Sequence, residues 1–173
     1  NKKIKQNIFD IRDFKKLNNI INKVKPDYIF HLAAQALVNK AYDCPYDTIQ
    51  SNFISSLNLF EIMRSYKKNC NLVIITSDKC YLENKKKLMY SENDILGGED
   101  PYGASKSAAE IAINSYVKSF FKSKKGNNVI VSTRAGNVIG GGDWTENRLI
   151  PDCVKSWKKK KIVKIRNLKS TRP

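Results

Sequence analysis

Leu72-Val-Ile-Ile-Thr-Ser-Asp-Lys79 is the stretch of sequence that decides the fold. It begins as a buried strand, Leu72–Thr76, and passes directly into polar residues. A similar apolar run, Tyr28–Ala34, precedes it and is typical of a parallel strand covered on both faces. A third run, Val129–Ser132, follows it. Apolar residues between these runs recur at three- and four-residue spacing, as on one face of a helix. Strands that alternate with helices predict βαβ units and a parallel sheet.

The helices and further strands predicted around these runs complete an α/β fold. The predicted helices are Phe14–Val24, Thr48–Lys68, Ala104–Phe121 and Leu149–Lys160. Ile8–Phe9 is predicted to end a strand, and Ile162–Ile165 to form a short one. Right-handed crossovers between parallel strands give a doubly wound sheet, which binds ligands at the carboxyl ends of its strands.

The composition is that of a globular domain with a strongly basic charge. The 173 residues are 41% hydrophobic, which suits one domain with a sizeable core. The net charge of +16 comes from lysines spread along the chain, with short runs at Lys85–Lys87 and Lys158–Lys161. A nucleic-acid-binding module would place aromatic residues among such runs, and these runs contain none. We therefore interpret the charge as a solvated surface whose field helps to attract an anionic ligand.

The apolar runs and the cysteines argue against a membrane protein and a metal site. The longest apolar runs are far too short to cross a bilayer, and no charged segment precedes an apolar leader. We expect a cytoplasmic protein. The four cysteines form no CxxC pair, and the chain has one histidine, so we expect reduced thiols. These cysteines are Cys44, Cys70, Cys80 and Cys153.

Tyr102-Gly-Ala-Ser-Lys106 is the strongest local signal of chemistry. The i, i+4 spacing at the start of a helix puts both side chains on one face. The ammonium of Lys106 would favour the phenolate of Tyr102 and lower its pKa from about 10, so that the tyrosine becomes a base near neutral pH. The lysine can also donate to the ribose hydroxyls of a cofactor. Alone, however, this spacing also arises by chance in chains of this length.

Polar side chains follow the central strand where a parallel sheet places ligands. Ser77 can hydrogen-bond a substrate hydroxyl or the tyrosine, or it can be a simple turn residue. Asp78 and Lys79 are either a candidate acid and base or an exposed ion pair of negligible energy.

Four motifs, in this order, resemble those of the extended short-chain dehydrogenase/reductase family of NAD-dependent epimerases and dehydratases, which have a Rossmann-type fold. They are His31-Leu-Ala-Ala-Gln35, Thr76-Ser-Asp-Lys-Cys-Tyr81, Tyr102-x-x-x-Lys106 and Arg134-Ala-Gly-Asn-Val-Ile-Gly-Gly-Gly-Asp-Trp144. The stretches Asp94–Gly98, Arg148–Cys153 and Arg166–Asn167 continue the resemblance. Within the family, the last motif and Ser77-Asp78-Lys79 are similar to the dehydratases that act on CDP-glucose. Those that act on dTDP-glucose carry a glutamate at the position of Lys79.

The resemblance implies contacts with NAD and with a sugar nucleotide. Asp10 and Ile11 would lie at the adenine, and the other residues along the cofactor would be Leu32, Ala33, Ala34, Gln35, Asn52 and Thr76. Tyr102 and Lys106 would reach the nicotinamide ribose. The positions expected near the sugar nucleotide are Asn137, Arg148 and Arg172, where the arginine fork suits a diphosphate. His31 has the simpler interpretation of a buried core group.

The sequence contains neither the glycine-rich GxxGxxG turn that would hold the NAD pyrophosphate nor most of the substrate domain. We therefore expect the chain to lack the first βα unit and to be a fragment that binds NAD poorly when alone. Residues 1–146 would be part of the NAD-binding domain, and residues 147–173 the start of the substrate-binding region.

The reaction implied by the resemblance is the loss of water from a nucleotide-linked hexose, CDP-glucose to CDP-4-keto-6-deoxyglucose, for surface polysaccharide synthesis. Tyr102 would take the C4 hydroxyl proton as hydride passes to NAD. Lys79 and Asp78 would serve as base and acid in the elimination of the C6 hydroxyl, with the assignment within the pair open. Ser77 would hydrogen-bond a substrate hydroxyl or the tyrosine, and the two long helices would pair in a homodimer. The alternatives are a nucleotide-sugar 4-epimerase, which needs no acid/base pair, a basic nucleic-acid-binding module and a non-catalytic fragment.

Overall fold

The computed structural model describes residues 4–84, 89–121, 128–165 and 168–169. It divides the chain into two compact units, Asn1–Ala135 and Gly136–Pro173. The expectations for Lys85–Lys87, Arg166–Asn167 and Arg172 lie outside the described residues. The functional boundary at residue 146 stays a prediction, because a compact unit does not show which ligand it binds.

The first unit is built on a three-stranded parallel sheet. Its strands are β1 (Tyr28–His31), β2 (Asn71–Ile75) and β3 (Ile130–Thr133), in the order β1-β2-β3. In the register of the sheet, Phe30 lies beside Val73, and Val73 lies beside Val131. The parallel pairing and the helices between the strands confirm the predicted Rossmann-type fold class, with the deciding stretch as the central strand.

The observed helices lie where helices are predicted, but there are more of them than predicted. They are α1 (Phe14–Val24), α2 (Val38–Asp43), α3 (Pro45–Ile49), α4 (Ser55–Ser65), α5 (Pro101–Tyr116) and, in the second unit, α6 (Leu149–Lys158). A π-helical turn, Gln50–Ile54, joins α3 to α4, and another, Val117–Phe121, follows α5. The predicted helix Thr48–Lys68 is therefore a composite of α3, a π turn and α4, whereas α1 has its predicted bounds.

Helix α5 begins earlier than its apolar pattern indicates. The Asp100 carboxylate accepts a hydrogen bond from the backbone N–H of Gly103 at 2.9 Å, and Pro101 occupies the first helical position. A carboxylate cap followed by proline is a favourable helix start because both suit the unpaired N–H groups of the first turn. Tyr102 is therefore in the first turn of α5.

The core of the first unit lies on one face of the sheet. Leu72 and Ile74 of β2 are buried there against residues of α1, α4 and α5. Burial of a side chain of this size stabilises the fold by about 1.5–3 kcal/mol. On the opposite face Phe30 is 62% exposed, and Tyr28 is exposed to a similar degree. Among the described residues the expectation that Tyr28–Ala34 is a strand covered on both faces is therefore wrong: the strand ends at His31, and α1, α4 and α5 pack on the face opposite to Phe30.

Two predicted strands are absent from the described residues. Ile8–Phe9 and Ile162–Ile165 adopt no regular structure, and both isoleucines that begin these runs are exposed. A strand is stable only beside another strand, and no described strand lies next to either run. At these two places an apolar run predicts a strand that the described residues do not form.

The second unit consists of a glycine-rich turn followed by α6. Gly142 adopts a φ of +82°, in the region that favours glycine. The Lys158 ammonium lies 4.7 Å from the centroid of the Trp144 ring, which ties the end of α6 to this turn. In the ranges that the structure describes, no helix is both long and apolar enough to span a bilayer.

Candidate active site

The carboxyl end of β2 leads into a turn whose direction Ser77 determines. The backbone N–H of Asp78 donates to the carbonyl of Ala135 at 3.0 Å, so the chain after β2 stays beside the chain after β3. The buried Ser77 hydroxyl accepts from the N–H of Lys79 at 3.3 Å and donates to Asp78 Oδ1 at 3.0 Å. Ser77 thus shapes the 3₁₀ turn Asp78–Cys80 and orients the Asp78 carboxylate.

Lys79 is tied to the start of α5. Its Nζ lies 3.9 Å from Asp100 Oδ2, in a pair whose side chains are 44% and 12% exposed. Asp100 is also the residue that caps α5, two residues before Tyr102. The ion pair therefore brings the turn after β2 to the helix that carries the Tyr/Lys motif.

Tyr102 and Lys106 lie together, as their spacing predicts. The Lys106 ammonium is 6.0 Å from the centroid of the Tyr102 ring and donates to the carbonyl of Ile75 at 3.2 Å. Lys106 is buried, and burial lowers its pKa to about 8, although the nearby Cys80 and Glu110 act in the opposite direction. A lysine of this kind changes its charge within the pH range in which enzymes work.

Asn52 connects the chain after β1 to α5. Its side chain accepts from the N–H of Gln35 at 2.8 Å and donates to the Gln35 carbonyl at 3.0 Å and to Ser105 Oγ at 2.9 Å. Asn52 is buried in the π turn, and Ser105 lies between Tyr102 and Lys106 in sequence. The predicted cofactor residues Gln35 and Asn52 are thus in direct contact, and the Asn52 amide fixes the backbone of Gln35.

The remaining predicted cofactor residues belong to the same unit. Leu32, Ala33 and Ala34 follow β1 and are exposed, and Thr76 follows β2 and is buried. Asp10 bonds the Arg12 guanidinium at 2.7 Å, and this contact holds the pKa of Asp10 below its ordinary value. The Arg12 and Ile11 carbonyls accept from Asn58 Nδ2, which attaches this segment to α4.

His31 is a buried neutral group. Its Nε2 lies 3.2 Å from Ser56 Oγ, whereas Nδ1 has no partner among the described residues. Burial, assisted by the charge of Lys106, lowers its pKa to about 4. Its burial and lowered pKa fit the interpretation of a core histidine, whereas an Nδ1 atom unpaired within the described part of the chain departs from the usual pairing of buried polar atoms.

The structure also reveals a buried ion pair that sequence reasoning missed. Glu110 accepts from Thr76 Oγ1 at 2.5 Å, from Ser132 Oγ at 3.1 Å and from Arg134 Nη2 at 2.9 Å. The available signal was the spacing of Tyr102, Lys106 and Glu110, which follow one another at four-residue intervals along one face of α5.

The predicted sugar-nucleotide residues belong to the second unit. Asn137 is exposed in the glycine-rich segment, and Arg148 is the residue that precedes α6. Arg172 lies outside the described residues. Contact of these three residues with a sugar nucleotide stays a prediction.

Polar residues at the carboxyl edge of a parallel sheet, with a Tyr/Lys pair on the adjoining helix, define a Rossmann-like α/β protein. The family model described as GDP-mannose 4,6 dehydratase matches residues 1–173, so the chain belongs to this family. The chain is 42% identical, over 98% of its length and 48% of the relative's, to the CDP-glucose 4,6-dehydratase of Salmonella typhimurium. The resemblance predicted from the motifs is confirmed.

Solved structures agree with this assignment. The UDP-glucose 4-epimerase of Thermus thermophilus, in complex with NAD, has a TM-score of 0.69 and 28% identity over 80% of this chain and 43% of its own. RMD from Pseudomonas aeruginosa, complexed with NADPH, has a TM-score of 0.69 and 25% identity over 83% of this chain and 47% of its own. The chain spans about half the length of these proteins.

Proposed function

We propose that the full-length protein is an NAD-dependent 4,6-dehydratase that converts CDP-glucose to CDP-4-keto-6-deoxyglucose. The observation that carries the proposal is the ion pair between Lys79 and Asp100, which joins the turn of Asp78 and Lys79 to the helix of Tyr102. The same edge of the sheet thus holds Tyr102, a candidate base for oxidation, and Asp78 and Lys79, a candidate acid/base pair for elimination. The 42% identity to a CDP-glucose 4,6-dehydratase supports the substrate.

The residues at this edge fit NAD, which when bound accepts and returns a hydride. Leu32–Ala34 are exposed at the carboxyl end of β1, and Lys106 supplies a donor for ribose hydroxyls. A dehydratase returns its hydride in every cycle and has no need to exchange its cofactor, and the similar UDP-glucose 4-epimerase of Thermus thermophilus binds NAD. We therefore propose NAD rather than NADP, and recovery of the full-length protein with tightly bound NADP(H) would contradict this choice.

The side chains of the site have separate tasks in this proposal. Tyr102 accepts the proton of the C4 hydroxyl, and the Lys106 ammonium stabilises the phenolate that must form first. The ketone at C4 then makes the C5 proton more acidic. Asp78 and Lys79 divide the proton transfers of the elimination: one group removes the C5 proton and the other protonates the departing C6 hydroxyl. C5 then regains a proton as the hydride returns to C6, which completes the 4-keto-6-deoxy sugar. Ser77 holds the Asp78 carboxylate for the elimination.

The experiment that tests the function separates oxidation from elimination in the full-length enzyme. Asp78→Asn and Lys79→Ala should leave oxidation at C4 intact but form little 4-keto-6-deoxy product. The reaction should stall, and NADH absorbance should persist under single-turnover conditions. Asp27→Asn and Lys68→Ala are matched controls, because this pair, 2.8 Å apart, lies at the amino end of the sheet. The proposal fails if both site variants dehydrate CDP-glucose at the normal rate.

The second candidate is a nucleotide-sugar 4-epimerase, which the similarity to the Thermus thermophilus enzyme favours. An epimerase shares the Tyr/Lys pair but has no use for an acid/base pair at C5 and C6. Inversion at C4 by the wild type without loss of water would establish it in place of the dehydratase.

We further propose that the protein is a cytoplasmic homodimer that supplies deoxysugars for surface polysaccharide. The resemblance supports these points, and the exposed side chain of Ile111 on α5 is available for a contact between subunits. Sedimentation equilibrium of the full-length protein would check the dimer, and a monomer at micromolar concentration would contradict it.

A further inference from the structure

In the described residues, the connection between the turn of Lys79 and helix α5 forms two arms, residues 81–84 and residues 89–97. Tyr81 and Leu96 form an antiparallel bridge, and Leu82 N–H donates to the carbonyl of Ile95 at 2.9 Å. One arm begins directly after Lys79 and Cys80, and the other leads to Asp100 and the start of α5. A movement of either arm would therefore change the distance between Lys79 and Tyr102.

Arg134 contacts both arms. Its Nη1 donates to the hydroxyl of Tyr81 at 3.0 Å and to the backbone carbonyl of Glu92 at 3.0 Å. Its guanidinium carbon lies 4.9 Å from the centroid of the Tyr81 ring, and that ring stacks on Tyr90 at 4.8 Å. The planar guanidinium directs N–H donors to two arms while its flat face lies on the Tyr81 ring, a geometry that a compact lysine ammonium does not reproduce.

Glu110 fixes Arg134 from the other side. The pair is 2.9 Å apart, with the Glu110 side chain 3% exposed and that of Arg134 16% exposed. Glu110 also accepts from hydroxyls at the ends of β2 and β3 and lies one turn after Lys106 on α5. An ion pair as buried as this one is sensitive to geometry, because its charges have little water to replace a lost partner.

We propose that Arg134, held by Glu110, is a positioning residue that sets Asp78 and Lys79 in register with Tyr102 and Lys106. This inference rests on the proposed function. Arg134 acts through the two arms of the connection rather than on the substrate. It matters for elimination, which uses Asp78 and Lys79, and much less for oxidation at C4, which uses Tyr102.

The test uses Arg134→Lys in the full-length enzyme, because lysine keeps a positive charge beside Glu110 but loses the contacts with the arms. Arg64→Lys is a matched control: Arg64 pairs with Glu61 at 2.7 Å and lies 5.4 Å from the ring centroid of Phe120, away from the connection. Single-turnover rates of NADH formation and of 4-keto-6-deoxy product formation are measured in both variants, together with melting temperature.

In Arg134→Lys, elimination should slow by about 10- to 100-fold, because a displacement of about 1 Å can cost that much. Oxidation should change much less than elimination, since Tyr102 stays in place. Arg64→Lys should leave both rates unchanged. Equal losses in the two steps, or no loss in either, would overturn the inference.

A second measurement does not depend on the reaction. Amide hydrogen exchange at residues 79–82 and 95–97 should accelerate in Arg134→Lys and stay at the wild-type rate in Arg64→Lys. If the wild type forms no 4-keto-6-deoxy product, the proposed function fails and exchange alone decides the inference. Unchanged exchange in both segments would then overturn it.

Discussion

Gly98 packs on Gly103 so closely that a Cβ atom added to Gly98 would lie 2.0 Å from the Gly103 carbonyl carbon. A Cβ atom on Gly103 would in turn lie 2.8 Å from the carbonyl oxygen of Lys79. These two glycines therefore determine how near the connection and Lys79 come to the first turn of α5. The distance between the candidate acid/base pair and Tyr102 depends on the absence of two side chains.

Gly98→Ala should destabilise the full-length protein by about 3 kcal/mol, because the new methyl group meets backbone that cannot move aside. Gly97→Ala is the matched control, since its Cβ would meet the flexible side chain of Leu82 at 3.3 Å. Urea denaturation followed by circular dichroism measures both changes. Equal losses of unfolding free energy in the two variants would show that the contact of Gly98 with Gly103 does not limit how closely the connection approaches α5.

Tyr102→Phe should slow the oxidation at C4 by about 10²- to 10⁴-fold at neutral pH, because the variant has no phenolate to accept the proton. Tyr116→Phe is the control on the same helix: its hydroxyl donates to Glu61 at 2.6 Å instead of lying at the site. Stopped-flow measurement of NADH formation by the two full-length variants gives the comparison. Near wild-type oxidation in Tyr102→Phe would remove the base from the mechanism.

Because Lys106 titrates at alkaline pH, the free energy of unfolding should change with pH in that range. Its pKa is lowered to about 8 in the folded protein, against an ordinary value of 10.5, so between these values the unfolded chain binds more protons. Stability should rise as pH increases from about 8 to 10.5 and be lost as pH falls back through this range. Relative to Lys106→Met, the wild type should gain about 2–3 kcal/mol over the interval.

Urea denaturation of the full-length wild type and of Lys106→Met at several pH values measures this difference. Lys118→Met is the control, because Lys118 is exposed in the π turn after α5. A constant difference between wild type and Lys106→Met across the interval would show that Lys106 titrates near its ordinary pKa.

The parts of the fold that sequence predicts well are those with local causes. Helix α1 has its predicted bounds because Asp13 accepts from Lys16 N–H at one end and Pro26 follows the other. Tyr102 and Lys106 come together because four residues make about one turn. The buried strand β2 is indicated by an unbroken apolar run.

The parts that sequence did not predict have causes elsewhere in the chain. Glu110 and Arg134 are 24 residues apart, and no local pattern shows that their charges meet in the interior. The exposure of Phe30 depends on which elements cover the sheet, a property that its own strand does not encode. The place of Asn52 near the cofactor stays a prediction, and its amide bonds Gln35 and Ser105, partners that only the folded chain brings near.

The π turn Gln50–Ile54 has a consequence for the helix that contains it. Successive residues of an α-helix are rotated by about 100°, and a π turn accommodates one residue more than the α-helical ladder would. Removal of one residue from the turn would restore a continuous α-helix while rotating Asn52 by about 100° relative to Phe60 and Met63. The extra residue thus determines the angle around the helix axis between Asn52, which hydrogen-bonds Gln35, and the core residues Phe60 and Met63. A uniform helix of the same length could orient either Asn52 or these core residues correctly, but not both.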